Sequence, residues 1–372
     1  MPGLIEADQN TGARHGHFCG SFAADDVVML LKPSLIAHVG IAEKERLIQS
    51  GEKHYSEMLS AETLPDSRYM ELYHDALGRN AGRLKGDIET LAGKLTQRPQ
   101  TAEACVVISL ARAGTPIGVL LKRALERLGI TAFHYTVSII RGRGIDLNAL
   151  AYIRARHGTH NAIFLDGWTG KGAISRELEA SLRGSDLGFT PYLAVVADPA
   201  GCASLAATVD DYVIPSGLLN GIVSGLISRT VLTDALVGPD DFHACLFQEA
   251  QAPHDLTHHF LATVEAAAAV SLSSAWSPQG AVRAGASSQQ ILCDLMDKYA
   301  VGDVNRIKPG IAEATRALLR RVPDAVFIRD FDDPETLHMQ HLAARSDVPV
   351  VQRDLGGYRA VTIIKSLKGE QE

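Results

Sequence analysis

The sequence lacks the features that identify membrane proteins, secreted proteins and proteins that bind nucleic acid over their whole surface. No apolar run approaches the ~18 residues of a membrane-spanning helix, and the N-terminus has no basic stretch followed by an apolar core. The five cysteines are odd in number and form no CxxC pair, which argues against a disulfide scaffold or a cysteine-rich zinc site. The net charge of −7 argues against nucleic-acid binding over the whole surface. We expect a globular cytoplasmic protein with free thiols.

The order of the remaining patterns indicates an α/β protein with more than one domain. The 372 residues, 46% of them hydrophobic, allow two or three domains of ~100–200 residues each. Residues 104–215 alternate apolar strand patterns with amphipathic helix patterns, which predicts a parallel, Rossmann-like sheet with helices on both faces. We place this domain, with a helical N-terminal region, at residues 1–245. A helical connector follows at 246–291 and a smaller α/β domain at 292–372.

Five apolar segments predict the strands of the main sheet, and the segment before them predicts a helix. Residues 21–33, SFAADDVVMLLKP, have capping residues at the start and a proline at the end. Ligands of parallel sheets bind at the carboxyl ends of the strands, so the loops after the first four strands should meet at one edge. Those loops follow Leu110, Ile140, Asp166 and Asp198. The strand segments are ACVVISL, AFHYTVSII, NAIFLD, PYLAVVAD and DDYVIP.

The loop in FLDGWTGKGA has the composition of a phosphate-binding turn. Asp166 ends a strand, and three glycines follow within six residues, with Thr169 and Lys171 between them. Glycines let backbone amides turn toward one point, and the helix that follows adds partial positive charge. The spacing is neither that of the Walker GxxxxGK[ST] loop nor that of GxGxxG. The alternative is an ordinary turn between a strand and a helix.

With its preceding strand, this Asp and Thr-Gly-x-Gly turn resembles the phosphoribosyl-pyrophosphate (PRPP) loop of the type I phosphoribosyltransferases. The resemblance implies a phosphoribosyltransferase-like fold and a PRPP ligand with Mg²⁺. It implies that Asp166 is the catalytic residue that holds the ribose hydroxyls and the metal, although the usual acidic pair is reduced here because Gly167 follows. The residues implied to bind the 5′-phosphate are Thr169, Gly170, Lys171 and Gly172.

Two further segments extend this resemblance. SLARAGTPIG is similar to the pyrophosphate loop of that family, a role that falls on Arg112, Ala113 and Gly114. SIIRGRGID lies where that fold carries its mobile active-site segment, so Arg141 and Arg143 are implied to reach the diphosphate as catalytic residues.

Six motifs in order resemble a narrower bacterial family found in tellurite-resistance and stress-response gene neighbourhoods. This family has been described both as a PRPP-type phosphoribosyltransferase and as a cysteine protease, StiP. The resemblance covers nearly the whole chain. The motifs are GSFAADDVVMLLK, SLARAGTPIG, SIIRGRGID, FLDGWTGKGAI, DDYVIPSGLLNGIVSGLISRT and NRIKPGIAEATRALLRRVPD.

The segment PSGLLNGIVSGLISRTVL predicts a small-residue helix with a polar face. Steps of four place Ser216, Asn220, Ser224 and Ser228 on one side. That side either contacts a base or phosphate or allows close helix packing through its glycines. Arg229 is the residue that we expect to contact an anion.

The C-terminal segment beginning KPGIAEATRALLRR resembles the Pelota-type RNA-binding domain. Gly310 and Glu313 match the helix start of that family, whereas Ala312 replaces its asparagine. Five basic residues and one acid lie between residues 306 and 321, but residues 301–372 contain eleven basic and eleven acidic residues. Two interpretations of these basic residues stay open: weak RNA binding, or a solvated helix face. The residues implied to bind RNA are Lys308, Gly310, Glu313 and Arg316.

Histidines and cysteines offer less specific candidates. His254 and His258 have helical i, i+4 spacing, but no third zinc ligand is evident, and surface histidines are the simpler interpretation. A cysteine protease needs a thiol with a histidine base. Cys19 lies near His15 and His17 and is the first candidate for a nucleophile, and Cys202 is the second.

Three functions are consistent with these patterns. The first is a PRPP- and Mg²⁺-dependent phosphoribosyltransferase that acts on a nucleobase or nucleotide precursor in a stress-response pathway. The second is a cysteine protease. The third is a non-catalytic protein that binds a nucleotide and RNA. The acceptor substrate, the RNA and the presence of a homo-oligomer stay open.

Overall fold

The computed structural model describes residues 18–271 and 276–366. The fold is α/β, as the sequence predicts, with a main domain built on a parallel sheet and a smaller C-terminal α/β domain. The loose tail predicted at residues 1–17, which includes His15 and His17, lies outside the described residues. No helix among the described residues combines the length and apolarity needed to cross a membrane.

The main domain is organised around a six-stranded parallel sheet with the order β1-β4-β3-β7-β8-β9. Its central strands are buried on both faces, because alternate residues such as Ile163 and Phe164 enter different hydrophobic clusters. The strands of this sheet are β1 (Val28–Met29), β3 (Ala104–Leu110), β4 (Thr131–Val137), β7 (Ala162–Trp168), β8 (Leu193–Ala197) and β9 (Leu205–Thr208).

Helices cover both faces of the sheet, and four short strands form two separate two-stranded sheets. The long helix α2 fits its sequence pattern, because its apolar positions, among them Tyr73, Leu84 and Leu91, are buried in the main cluster. The helices of this domain are α1 (Ile41–Ser50), α2 (Ser67–Thr96), α3 (Gly114–Arg127), α4 (Leu147–His157), α5 (Ala173–Arg183) and α6 (Thr257–Ala266). The short strands are β2 (Lys32–Pro33), β5 (Ile139–Ile140), β6 (Gly144–Ile145) and β10 (Ala244–Cys245).

The C-terminal domain has a four-stranded mixed sheet in the order β11-β14-β12-β13. Helix α7 runs through the boundary placed at residue 291, and Ile291 and Leu295 pack in the core of this domain. The helix therefore joins the connector to the domain without a break. The elements are α7 (Pro278–Lys298), β11 (Ile307–Pro309), α8 (Ile311–Arg320), β12 (Pro323–Ile328), α9 (Leu337–Arg345), β13 (Val350–Gln352) and β14 (Ala360–Ile364).

Three local predictions are wrong. Residues 21–33 are not a helix, because Val28 and Met29 pair with β4 as an edge strand. The fifth strand is β9 and not DDYVIP, where the Tyr212 hydroxyl instead donates to Asp87. The segment from Pro215 forms two short 3₁₀ turns, at 215–217 and 221–223, so its serines do not share a helical face.

Candidate anion-binding site

The loop between β7 and α5 is fastened to the loop that follows β8. The Thr169 hydroxyl donates to Asp198 Oδ1 at 2.7 Å, and the Thr169 amide donates to the Ala197 carbonyl at 3.0 Å. Asp198 also accepts from the amides of Cys202 and Ala203. The Thr169 hydroxyl is thus occupied inside the protein, and the loop is held at the carboxyl edge of the sheet.

Three consecutive amides of the same loop have no acceptor within the described part of the chain. They belong to Gly170, Lys171 and Gly172, and α5 begins immediately afterwards at Ala173. Gly172 has a φ of 74°, a left-handed conformation that glycine adopts without strain. The amides of the first helical turn also lack partners inside the helix. The loop therefore presents a row of N–H donors together with the positive end of a helix dipole.

Asp166 stands at the end of β7 next to these amides. Burial raises the pKa of its carboxyl group to about 6, an effect that the Gly167 amide and Arg316 oppose and Glu313 reinforces. A carboxyl group that titrates near neutral pH in a cleft suits proton transfer or cation binding. Within the described residues, no group of three or more His, Cys, Asp or Glu side chains is placed to hold a metal ion by itself.

The C-terminal domain lies directly over this loop. The Lys171 ammonium donates to the backbone carbonyls of Val304 and Ile307, the latter at 2.9 Å. The Tyr358 hydroxyl donates to the Gly170 carbonyl at 2.6 Å. The Lys171 side chain thus links the two domains, and its amide, not its ammonium, is the group left free for a ligand.

Two acidic groups of the main domain strengthen this docking. Asp211 accepts hydrogen bonds from the amides of Ile311 and Arg359, at the start of α8 and just before β14. Burial raises the pKa of Asp211 to about 7. Glu45 in α1 pairs with Arg321 at 2.5 Å. The described interface therefore joins the domains through the loop after β7, the segment before Pro215 and α1.

The two domains enclose a cleft of about 310 Å³. Trp168 forms part of its wall, with the Arg316 guanidinium 4.5 Å from the ring centroid. Nine cationic side chains and two carboxylates line the cleft, so its lining has a clear excess of positive charge. The cations are Lys44, Arg112, Arg141, Lys171, Arg229, Lys308, Arg316, Arg320 and Arg321, and the carboxylates are Asp166 and Glu313.

Arg112, implied by the resemblance to bind diphosphate, is already paired. Its guanidinium forms two hydrogen bonds with Glu62, at 2.6 and 2.9 Å, and others with Asn220 and the Ile227 carbonyl. Ala113 lines the cleft beside it. Gly114 is needed for packing, because a Cβ there would lie 2.4 Å from the Leu165 carbonyl.

The three other arginines named from the sequence occupy different positions. Arg141 lines the cleft, and its guanidinium donates to Asn305 of the C-terminal domain. Arg143 is outside the cleft lining and pairs with Glu57 at 2.7 Å. Arg229 lines the cleft and donates to the Tyr55 carbonyl through Nη2, while its buried Nη1 has no partner among the residues that the structure describes. Burial lowers the pKa of Arg229 to about 10.

The lysines of the cleft have depressed pKa values because they are buried among other cations. Burial, together with Lys308, lowers the pKa of Lys171 to about 7. Burial lowers that of Lys308 to about 8. Burial and the nearby Arg229 lower that of Lys44 to about 8. A bound anion would relieve each of these shifts.

Three of the four residues predicted to bind RNA line the same cleft. Lys308, Glu313 and Arg316 all face the loop of the main domain. Gly310 starts α8 with a φ of 83° and lies against Asp211. The predicted phosphate loop and the predicted RNA-binding face are therefore opposite walls of one site.

Within residues 18–271 and 276–366, the cysteines lack the partners of an activated thiol. Cys19 is half-buried, and burial raises its pKa, with Asp26 adding to the effect. Cys202 approaches Ser175 Oγ at 3.5 Å, and burial raises its pKa to about 11. No histidine among the described residues hydrogen-bonds to a cysteine. His254 ends a 3₁₀ turn and His258 lies in α6, both exposed, so they do not share one helix.

Several cleft residues were not assigned to this site from the sequence. Lys44 and Tyr55 come from the N-terminal region, which showed only helical periodicity, as does Glu62, the partner of the cleft residue Arg112. Arg320 and Arg321 were counted as basic residues of the RNA-binding segment. The available signal was the spacing of cations along an amphipathic helix, but the sequence did not indicate which surface covers them.

Comparison with known proteins matches both domains. Residues 20–265 match the family model described as "Tellurite-like stress resistance cysteine protease StiP", and residues 286–366 match that of the PELOTA RNA binding domain. A curated protein of Acinetobacter baylyi, "Cysteine protease StiP", is 42% identical over 366 residues, which cover 94% of this chain and 95% of the relative.

Solved structures give weaker similarities. A hypoxanthine phosphoribosyltransferase from Trypanosoma cruzi, in complex with IMP, is 12% identical over 33% of this chain and 73% of that one, with a TM-score of 0.25. A hypothetical protein from Neisseria gonorrhoeae with bound ppGpp is 14% identical over 31% of this chain and 66% of that one, with a TM-score of 0.23.

Proposed function

We propose, for a chain that belongs to the StiP family, that the cleft between its two domains binds a PRPP-like phosphorylated sugar and that the protein transfers the phosphoribosyl group. The observation that carries the proposal is the row of unpartnered amides at Gly170, Lys171 and Gly172 at the start of α5. Such a row at a helix N-terminus favours a phosphate group. The cationic lining of the cleft supports the same ligand class.

In this proposal Mg²⁺ binds together with the ligand. Mg²⁺ in phosphate sites commonly takes one or two carboxylates and completes its coordination with phosphate oxygens and water. Asp166 and Glu313 fit that share, because both line the cleft and the charge of Glu313 disfavours the ionised form of Asp166. When bound, the metal would neutralise charge on the leaving diphosphate.

The protein's own contribution is positioning and the exclusion of water. The loop amides hold the 5′-phosphate, and Asp166 accepts hydrogen bonds from the ribose hydroxyls. A nucleophilic nitrogen of the acceptor attacks ribose C1, and the C1–O bond to diphosphate breaks with its electron pair on diphosphate. Closing the cleft with the C-terminal domain strengthens these charge interactions because it removes water.

Isothermal titration with PRPP and Mg²⁺ tests the proposal. Ala173→Asp places a carboxylate at the first turn of α5, where it is compatible with the helix but repels a phosphate. We expect binding to wild type, a loss of at least about tenfold in Ala173→Asp, and weaker binding in Asp166→Asn. Ala180→Asp makes the same charge change on the exposed face of α5 and should bind as wild type does. A wild-type protein that does not bind PRPP defeats the proposal.

Release of pyrophosphate from bound PRPP separates an enzyme from a binder. Release with a panel of nucleobases supports the transferase. Tight PRPP binding without release of pyrophosphate in the presence of any acceptor would favour the non-catalytic nucleotide binder, which the cleft geometry also accommodates.

A cysteine peptidase is the second candidate, and the comparisons favour it over the transferase. The specific observation is the 42% identity to a protein named Cysteine protease StiP. We propose Cys19 as its nucleophile, since it is half-buried and close in sequence to His15 and His17. Cys202 is more deeply enclosed and comes second.

The two candidates give different results with the same variants. Cys19→Ala should abolish cleavage of a protein partner and leave PRPP binding unchanged, whereas Ala173→Asp should do the reverse. Cys293→Ala removes an exposed thiol and serves as the control. If Cys19→Ala and Cys202→Ala both cleave as wild type does, the peptidase assignment to these cysteines fails.

A further inference from the structure

Four cations in one part of the cleft have no acidic partner among the described residues. They come from α1, from the segment after the 3₁₀ turns and from α8, and they are Lys44, Arg229, Arg316 and Arg320. Two neighbouring arginines differ from them, since each is neutralised by a buried glutamate. Arg112 pairs with Glu62 and Arg321 with Glu45.

Three of the four cations also have unsatisfied donors. Arg229 Nη1, Arg316 Nε and Arg320 Nε are buried and have no hydrogen-bond partner in the described part of the chain. Buried donors are normally paired, and arginine is suited to bind phosphate oxygens through several N–H groups at once. Burial lowers the pKa of Arg320, and the nearby Arg112, Arg316 and Arg229 add to the effect, which Glu62 opposes.

Lys44, Arg229 and Arg320 have different neighbours from the amide row at α5: Arg320 donates to Asn220 and Arg229 to the Tyr55 carbonyl, whereas Lys171 donates to Val304 and Ile307. Arg316 lies between the two regions, since it also packs over Trp168 and acts on Asp166. Besides burial, the charges that shift the pKa of Lys44 are Arg229, Arg321, Arg320 and Glu45. Those that shift the pKa of Lys171 are instead Lys308, Glu313, Arg141 and Asp303. The cleft thus has two cationic ends, one built on the amide row and one on the cluster.

We infer that the cluster of Lys44, Arg229, Arg316 and Arg320 is a second anion subsite that takes a diphosphate group. Two of its members lie on α8, so the C-terminal domain supplies part of the small-molecule site. The inference rests on the proposed function, in which the α5 end takes a 5′-phosphate. Four unpaired cations match the charge of a diphosphate better than that of a monophosphate, and Arg112 is already occupied by Glu62. The enclosed volume of about 310 Å³ suits a small molecule and not an RNA strand.

Titration of the full chain with two probes tests the inference. The probes are inorganic pyrophosphate and ribose 5-phosphate, and the variants are Lys44→Met, Arg320→Met and the exposed control Arg283→Met. We expect Lys44→Met and Arg320→Met to weaken pyrophosphate binding about tenfold or more and to change ribose 5-phosphate binding less than about twofold. Ala173→Asp should show the opposite selectivity.

Thermal melting checks that each variant is folded. Lys44→Met should melt no lower than wild type, because it removes a buried unpaired cation.

The outcomes separate the inference from the proposed function. If ribose 5-phosphate binds and pyrophosphate affinity is the same in wild type, Lys44→Met and Arg320→Met, the second subsite is overturned while the α5 site stands. If neither probe binds wild type, the proposed function fails and the inference fails with it. If a short RNA oligonucleotide binds through Lys44 and Arg320 while pyrophosphate does not, the cluster is an RNA site and the inference is wrong.

Discussion

At the residue scale, the Arg112–Glu62 pair shows that not every cation of the cleft is free to bind an anion, because some are already neutralised by a carboxylate. Both side chains are buried, with 4% and 8% of their surface exposed. Burial acts to raise the pKa of Glu62, but the adjacent Arg112 outweighs it and lowers the value to about 2. The pair thus stabilises the fold above pH ~4.5, and this contribution is lost as the pH falls toward 2.

Glu62→Gln should be strongly destabilising, because it leaves the buried Arg112 without its counter-charge. We expect a loss of about 3–5 kcal/mol in the free energy of unfolding, measured by urea denaturation at pH 7. Glu71→Gln removes one partner of an exposed pair with Arg68 and should cost less than about 1 kcal/mol. Equal effects of the two substitutions would show that Arg112 finds another partner.

The lysines of the cleft make a second residue-scale prediction. Because the pKa values of Lys171, Lys308 and Lys44 are lowered to between about 7 and 8, part of this charge is absent at pH 8. A bound anion raises these pKa values, so binding should take up protons, and affinity for pyrophosphate should fall as the pH rises from 7 to 9.

Titration calorimetry at pH 8 in buffers of different ionisation enthalpy measures this uptake directly. The apparent binding enthalpy should vary with the buffer in the direction of proton uptake, and Lys44→Met should reduce the dependence. A binding enthalpy that is the same in all buffers would contradict the assignment of depressed pKa values.

At the element scale, the turn from β7 into α5 depends on the left-handed conformation of Gly172. Gly172→Ala should destabilise the protein by about 1–2 kcal/mol, the cost of that conformation for an L-residue, and should weaken ligand binding at the amide row. Gly184→Ala at the other end of α5 is the control, since Gly184 has a φ of −85° and its nearest contact to a new Cβ is 3.5 Å. Urea denaturation should therefore separate the two variants.

Elements with strong periodicity could be predicted from the sequence, and elements fixed by tertiary pairing could not. The strands ending at Leu110 and Trp168 and the helix α5 carry local signals: apolar runs, glycines and an amphipathic repeat. Residues 21–33 carry equally good helix signals, yet pairing with β4 makes Val28–Met29 a strand. In the segment after Pro215, the glycines that suggested helix packing instead permit tight turns, and Gly225 has a φ of 80°.

At the scale of the whole molecule, the site is assembled from segments distant in the sequence. The resemblances pointed to Asp166 and Gly170 on one wall of the cleft and to Lys308 and Arg316 on the other. They assigned the first pair to phosphate binding and the second to RNA binding, as two separate functions. Local patterns do not report which surfaces of two domains meet. The docking through Tyr358 and Asp211 is therefore information that the structure adds.

Docking has a consequence for RNA binding by the Pelota-type domain. Its residues implied to bind RNA, Lys308, Glu313 and Arg316, are enclosed in the cleft. Because the cleft between the docked domains measures about 310 Å³, we expect an RNA strand to reach them only when the C-terminal domain separates from the loop at Gly170. A small anion that bridges both walls stabilises the docked arrangement, so the two ligands bind different states of the protein and must oppose each other.

We therefore expect pyrophosphate to release RNA from the full-length protein. Fluorescence anisotropy of a labelled RNA oligonucleotide, titrated with pyrophosphate, should show displacement beyond that produced by NaCl at equal ionic strength. Tyr358→Phe removes the hydrogen bond to the Gly170 carbonyl and should favour the separated state. It should therefore raise RNA affinity and weaken pyrophosphate binding by similar factors, because the same equilibrium between docked and separated domains governs both. RNA affinity that is independent of pyrophosphate would mean that RNA is bound on another face of the domain, with the cleft closed.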